Sequence, residues 1–207
     1  MRALLAPIVL FLGCAHASTE QVVLATSAEE SFHEVELDGA FDVEIVVGPR
    51  ASVELAGDEK AVENADVQIH DGRLQISMAD RRPMDGALEV KITTPRLESI
   101  EINGAADLEL TGMKTGELTV EVNGAGSTRA QGHVDSLALE INGAGSVDAV
   151  DLVASRVDVE IGGAGTAKVH AVEELYAELS GVGTIRYAGD PASIEKQVSG
   201  VGTIRPL

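Results

Sequence analysis

Tryptophan is absent from this 207-residue chain, and three phenylalanines and two tyrosines are all its aromatics. An interior without large rings must be built from Val, Ile, Leu and Ala in small, regular layers, which suits a narrow coil. Hydrophobic residues make up 44% of the sequence, enough for one core and one domain. A single cysteine excludes an internal disulfide framework. Amphipathic helical periodicity is nearly missing. The five histidines, His16, His33, His70, His133 and His170, lack metal-ligand spacing, and no phosphate-binding loop motif occurs. Cations are scarce as well: 15 Lys and Arg stand against 34 Asp and Glu, a net charge of −19. Such a surface repels nucleic acid and anionic headgroups and favours basic partners or divalent cations.

What the sequence has in abundance is a repeat. Segments like Glu140-Ile-Asn-Gly-Ala-Gly-Ser-Val-Asp148 return with their first glycine at Gly104, Gly124, Gly143, Gly163, Gly181 and Gly200, in steps of 20, 19, 20, 18 and 19 residues. A more distant copy, Glu36 to Ile45, matches Glu101 to Leu110 at five of ten positions. Before each glycine, apolar and polar residues alternate (Leu137, Leu139 and Ile141 against Ala138 and Glu140), and they alternate again after it, which is the period of a strand with one buried face. Glycine tolerates positive φ and close backbone approach, so the corner can stack on an identical corner above it. One copy cannot bury its apolar side alone. Stacked copies can, and an all-β solenoid with about 19 residues per rung follows.

Residues 1–17 read as an export signal, with Arg2 followed by the apolar run Ala3 to Leu12, too short to span a bilayer as a helix. Two cuts fit. Phe11-Leu-Gly-Cys14 is like a lipobox with Phe in place of the usual Leu, and lipid on Cys14 would tether the domain; Ala15-His-Ala17 equally fits cleavage before Ser18. Residues 18–30 then read as a linker, within a flexible leash from Ala15 to Ser31, and 31–207 as the solenoid domain. Val43–Val47 with Ser52–Leu55, and Val67–Ile69 with Leu74–Ile76, read as two hairpins, the second on an Asp71-Gly72 turn. They are expected to supply early rungs and an irregular N-terminal cap, because terminal units face water. Asp58 to Asp66 suits a short helical turn, and Asp80 to Asp85 a polar loop. Pro206 could blunt the last edge.

The start Phe32 to Ile45, which reads Phe-x-x-Val-x-Leu-x-Gly-x-Phe-Asp-Val-x-Ile, and the Gly-Ala-Gly or Gly-Val-Gly corners behind it resemble the bacterial family called the putative auto-transporter adhesin head GIN domain, over roughly residues 31–207. The resemblance implies a right-handed parallel β-helix in exported or lipid-anchored bacterial proteins, with no assigned catalytic residue.

In-register stacking turns equivalent positions into columns about 4.8 Å apart. Glu101, Glu121, Glu140, Glu160 and Glu178 form one, followed by Gln197. It faces outward by parity and offers a stripe for Ca²⁺ or a cationic partner, or a row that water and salt merely screen. Glu109, Arg129, Asp148, Lys168, Arg186 and Arg205 form a second, alternating in sign through its first four members, which helps to hold register. Asp107, Ser127, Ser146, Thr166, Thr184 and Thr203 form a third, and Asn103, Asn123 and Asn142 begin a fourth; these can hydrogen-bond along the stack, although the asparagines could instead take left-handed backbone.

The function expected is a non-enzymatic, exported envelope domain, adhesin-like or structural, with no cofactor beyond a candidate Ca²⁺ and an envelope or surface protein or glycan as partner, and with an outer-membrane lipoprotein, periplasmic or extracellular location. The alternative is a carbohydrate-active β-helix enzyme of lyase or hydrolase type, which would need a groove of converging carboxylates and an extra loop. Mass spectrometry of the mature N-terminus separates the two cuts: diacylglyceryl-Cys14 is the tethered form, and a free Ser18 rules the tether out.

Overall fold

The computed structural model describes residues 9–10, 21–27, 31–79, 88–114 and 116–207. Cys14, Ala17 and the loop of Asp80 to Asp85 lie outside the described residues. The protein is 76% strand and 3% helix, a β-solenoid of about five turns. Its strands are β1 (Val9–Leu10), β2 (Gln21–Ser27), β3 (Glu34–Asp38), β4 (Ala40–Val47), β5 (Ser52–Asp58), β6 (Ala65–His70), β7 (Arg73–Met78), β8 (Leu88–Thr94), β9 (Ser99–Ile102), β10 (Ala105–Met113), β11 (Glu117–Val122), β12 (Ala125–Ile141), β13 (Ala144–Ile161), β14 (Ala164–Leu179), β15 (Val182–Ala188), β16 (Ser193–Val198) and β17 (Val201–Pro206).

Two parallel ladders run up the coil. On the side that leads into each glycine, β7, β3, β9, β11, the C-terminal parts of β12, β13 and β14, and β16 pair in that order. On the side that trails the glycine the order is β8, β4, β10, the N-terminal parts of β12, β13 and β14, β15 and β17. Within β13 the buried residues fall into three runs, Val147 and Ala149, then Leu152 and Ala154, then Val157, Val159 and Ile161. Between runs two successive residues point away from the core (150–151 and 155–156), which a straight strand cannot do, so the chain bends there. Ile102, Val122 and Ile141 are 1%, 3% and 0% exposed and share one interior. Each such aliphatic side chain contributes about 1.5–3 kcal/mol on burial.

The corner glycines explain themselves by contact. A Cβ on Gly104, Gly124, Gly143, Gly163, Gly181 or Gly200 would lie 1.9, 1.6, 1.8, 2.1, 1.9 or 1.9 Å from the carbonyl oxygen of the glycine one rung below, the first of these being Gly39. None of the six has positive φ. Of the two properties of glycine that the sequence offered, close approach alone is used here. Positive φ serves the Asp71-Gly72 turn of the β6–β7 hairpin, at 51° and 82°. The asparagines next to the corners do not adopt left-handed backbone, because Asp71 is the one non-glycine residue with positive φ among those described.

The N-terminal end departs from sequence order. The rung of β3 and β4 lies between the later rung of β7 and β8 on one side and that of β9 and β10 on the other, so the chain passes its own first rung and returns. Consequently the expected hairpin of Val43–Val47 with Ser52–Leu55 does not form. β8 is inserted between them, parallel to β4 and antiparallel to β5. Residues 21–27, expected within a linker, form β2, antiparallel to β5 from Gln21↔Asp58 to Ser27↔Ser52; the run Val22-Val23-Leu24 has strand character that outweighs its terminal position. The antiparallel strands β2, β5 and β6 make the cap that the end of a parallel stack requires. A helical turn α1 (Glu59–Glu63) joins β5 to β6, capped where the Lys60 amide donates to Asp58 Oδ1 at 3.0 Å. Phe32 and Phe41, each 1% exposed, belong to the core at this end. The Thr94 hydroxyl lies 2.5 Å from the Phe32 carbonyl oxygen and 2.9 Å from that of Arg96, which pins the return crossing.

Gly143→Ala should destabilise the protein by about 3 kcal/mol or more, since overpacking against rigid backbone has no flexible side chain to yield. Gly145→Ala, whose Cβ would meet Val122 Cγ1 at 3.2 Å, should cost clearly less. Thermal unfolding of both variants checks the contrast.

Candidate functional site

The outer surface of the leading side carries the glutamates, because Ile102, Val122, Ile141, Ile161 and Leu179 take the alternate, inward positions. The column is in register and longer than the sequence suggested: Glu101, Glu121, Glu140, Glu160 and Glu178 continue downward to Glu36 and Gln75, and upward to Gln197. Six carboxylates thus stand in line with a neutral amide at each end. Glu36 was visible as the counterpart of Glu101 in the distant copy. Gln75 was not, since its place depends on β7 stacking beneath β3.

The lower half is neutralised from within. Arg73 Nη1 lies 3.1 Å from Glu36 Oε2 and 3.6 Å from Glu101 Oε2, and Nη2 reaches Glu34 at 2.8 Å. Gln75 Nε2 donates to Glu36 Oε1 at 3.1 Å. Asn103, Asn123 and Asn142 each donate to the glutamate two residues earlier, at 3.0, 2.8 and 2.8 Å. Asn142 also donates to Asn123 and Asn123 to Asn103, each one rung below, at 3.1 Å in both steps, as expected of an amide column. Above Glu140 this support stops, because Gly162 occupies the next asparagine position. Glu160 therefore feels burial first, then Asp158, Glu178 and Glu140, and its carboxyl is pushed above the ordinary 4.5. Burial, then Glu178, raises Asp158 likewise. The Tyr176 hydroxyl donates to Glu178 Oε2 at 2.8 Å, and that bond, chiefly, lifts its pKa to about 12.

The trailing side carries the other columns. Lys91 pairs with Glu44 at 3.2 Å, and Lys168 Nζ donates to Asp148 Oδ2 at 2.6 Å, which holds the Asp148 carboxyl below its usual range. The Ser127 hydroxyl and amide both donate to Asp107 Oδ1, at 2.6 and 3.0 Å, and lower its pKa in the same way. Glu109, Arg129, Asp148, Lys168, Arg186 and Arg205 stack in one register. A depression of about 410 Å³ at the hairpin end gathers Glu34, His70, Asp71 and Arg73, but the guanidinium there is already committed to Glu34 and Glu36. Among the described residues no set of three or more His, Cys, Asp or Glu is placed to hold a metal ion, and no helix is long and apolar enough to cross a membrane.

The stacked Gly-Ala-Gly coils and the profile of the family described as "Putative auto-transporter adhesin, head GIN domain", which matches residues 31–191, coincide. The chain belongs to that family. The head GIN domain is similar in fold to a crystal structure described as a putative adhesin from Bacteroides fragilis, with 22% identity, a TM-score of 0.72, and coverage of 92% of this chain and 98% of that one. It is also similar to a putative adhesin from Parabacteroides distasonis, with 18% identity, a TM-score of 0.50, and coverage of 91% and 98%. No curated protein matches this head GIN domain.

A carboxyl whose pKa is raised by folding adds stability below its unfolded value, near 4.5 for Glu160, and that stability is lost as pH rises through the folded value. Glu160→Gln, which holds no charge, should melt with wild type near pH 4 and above it at pH 7. Circular dichroism melts at the two pH values read this out; a variant less stable than wild type at pH 7 would contradict the electrostatic account of the column.

Proposed function

We propose that this head GIN domain is a non-enzymatic, exported component of the cell envelope whose glutamate face is a rigid adhesive surface for a cationic partner. The observation that carries the reading is the stretch above Glu140, where Glu160 and Glu178 stand one rung apart without the amide and guanidinium donors that serve the lower half. A fold that needed these side chains only for solubility would not have to align them, since like charges on neighbouring strands destabilise. Folding fixes them on a parallel ladder, so a partner with cations at a matching repeat meets a surface that needs no reordering. Membership of an adhesin-named family supports a binding role at the cell surface, with a partner such as an envelope protein or a glycan that bears cationic groups. Export through residues 1–17 and a lipid tether on Cys14 complete the proposal.

Calcium suits the column less well. The ion takes six to eight oxygens, whereas a straight row brings two carboxylates to each gap. The carbohydrate-enzyme alternative would need acids converging across a groove, and here they lie in line on an outer face.

A short oligolysine should bind the wild-type chain at low salt, and a variant with Gln at positions 121, 140 and 160 should bind about tenfold more weakly, as three surface charge pairs of a few tenths of a kcal/mol each imply. Equal binding by both proteins would remove the glutamate face from the proposal. Calcium should shift the melting temperatures of both alike; a rise confined to wild type would favour a metal stripe instead.

A further inference from the structure

The last two corners repeat residue for residue. Ser180 to Arg186 and Ser199 to Arg205 both read Ser-Gly-Val-Gly-Thr-Ile-Arg. β15 and β17 lay one copy on the other, Val182 on Val201, Thr184 on Thr203 and Arg186 on Arg205. Ile185 and Ile204 turn toward the core, so valine, threonine and arginine form three outward columns of identical pairs. Val182 and Val201 are 58% and 71% exposed, although nothing in a corner requires an aliphatic side chain in water.

The arginines break a pattern. Below them the column alternates, Glu109, Arg129, Asp148, Lys168, and Lys168 is paired with Asp148. An acid at position 186 would have continued the alternation in a chain that has 34 acids to 15 Lys and Arg. Instead Arg186 sits between Lys168 and Arg205, its Nε is buried without a hydrogen-bond partner, and neither arginine has a carboxylate partner among the described residues. The outward positions of β15 and β17 and of the adjoining Ala164 to His170 carry no acid at all. Adjacent like charges cost stability, and the register does not need them.

The same chain carries a counterpart on its leading side. The glutamate column has the same step, one rung, with the asparagine column and the glycine corner beside it, just as threonine and valine flank the arginines. We propose that a second copy of this chain lays its glutamates (Glu121, Glu140, Glu160) against Arg186 and Arg205. This names the partner of the face assigned above and rests on that assignment. The two faces differ, so the contact is heterologous, and each added copy leaves one face of each kind open for the next. Surface ion pairs are weak singly and are screened by salt. Self-association is therefore a property of crowded or tethered copies, where effective concentration is high.

Sedimentation velocity of the full chain tests this. Wild type should grow in mass with concentration at about 20 mM salt and return to monomer at about 500 mM, where the screening length falls well below 10 Å. Arg186→Glu restores sign alternation, so it should melt at or above the wild-type temperature yet stay monomeric; a merely structural Arg186 would give a lower melting temperature and unchanged association. The double variant Glu140→Lys with Glu160→Lys should also stay monomeric alone, but mixed with Arg186→Glu it should form a one-to-one complex that grows no further. Monomeric wild type at every concentration, or a mixture that never forms the complex, overturns the inference. Oligolysine separates the two readings: if wild type stays monomeric but binds oligolysine, the glutamate face stands and self-pairing falls; if it does neither, both fall.

Discussion

Everything in this protein depends on how near one glycine may come to the carbonyl of the glycine beneath it. The six corner contacts leave no room for a Cβ, and they hold successive rungs at the spacing of paired strands. Main-chain bonds follow the same path, Ala125 to Gly104, Ala144 to Gly124 and Ala164 to Gly143, each at 2.8 to 2.9 Å. With the corners locked at that distance, the flanking strands have one available register. The aliphatic interior and the outer columns are consequences of that register rather than independent designs.

This is why so much was legible beforehand. A glycine that recurs every 18 to 20 residues, with alternation on both sides, encodes strand, corner and stack at once. Inward Ile141 and outward Glu140 needed only parity. The β6–β7 hairpin, too, was announced by its Asp71-Gly72 turn. Reading failed where pairing is not local. Nothing near Val43–Val47 indicates that Leu88–Thr94 will occupy the neighbouring position that Ser52–Leu55 was expected to take. Arg73 was invisible as a countercharge for the same reason, because its bonds to Glu34 and Glu36 span 39 and 37 residues. The glycines were found for a partly wrong reason: their backbone is ordinary, and it is their neighbours that forbid a side chain.

Charge is sorted by side and by height. On the leading side, guanidinium and amide donors quench the low glutamates, while Glu160 and Asp158 higher up are left to hold protons more readily. On the trailing side, signs alternate from Glu109 to Lys168 and then give way to two arginines. A net charge of −19 conceals this division. It describes the molecule seen from many Debye lengths away, whereas at contact distance the glutamate column on one side and the arginine pair at the end of the other present opposite signs.

The displaced first rung also bears on how the molecule is assembled. Ala125 finds Ala144 only 19 residues away, whereas Ala40 must wait for Ala105, 65 residues later. Closing the longer loop costs more chain entropy, so the C-terminal rungs are the natural place for a nucleus, and the stack can grow from there toward the cap. A chain that emerges amino end first would then hold β3 and β4 without their parallel neighbours until β7 to β10 had appeared, and those two strands are the ones that any folding helper would have to shield.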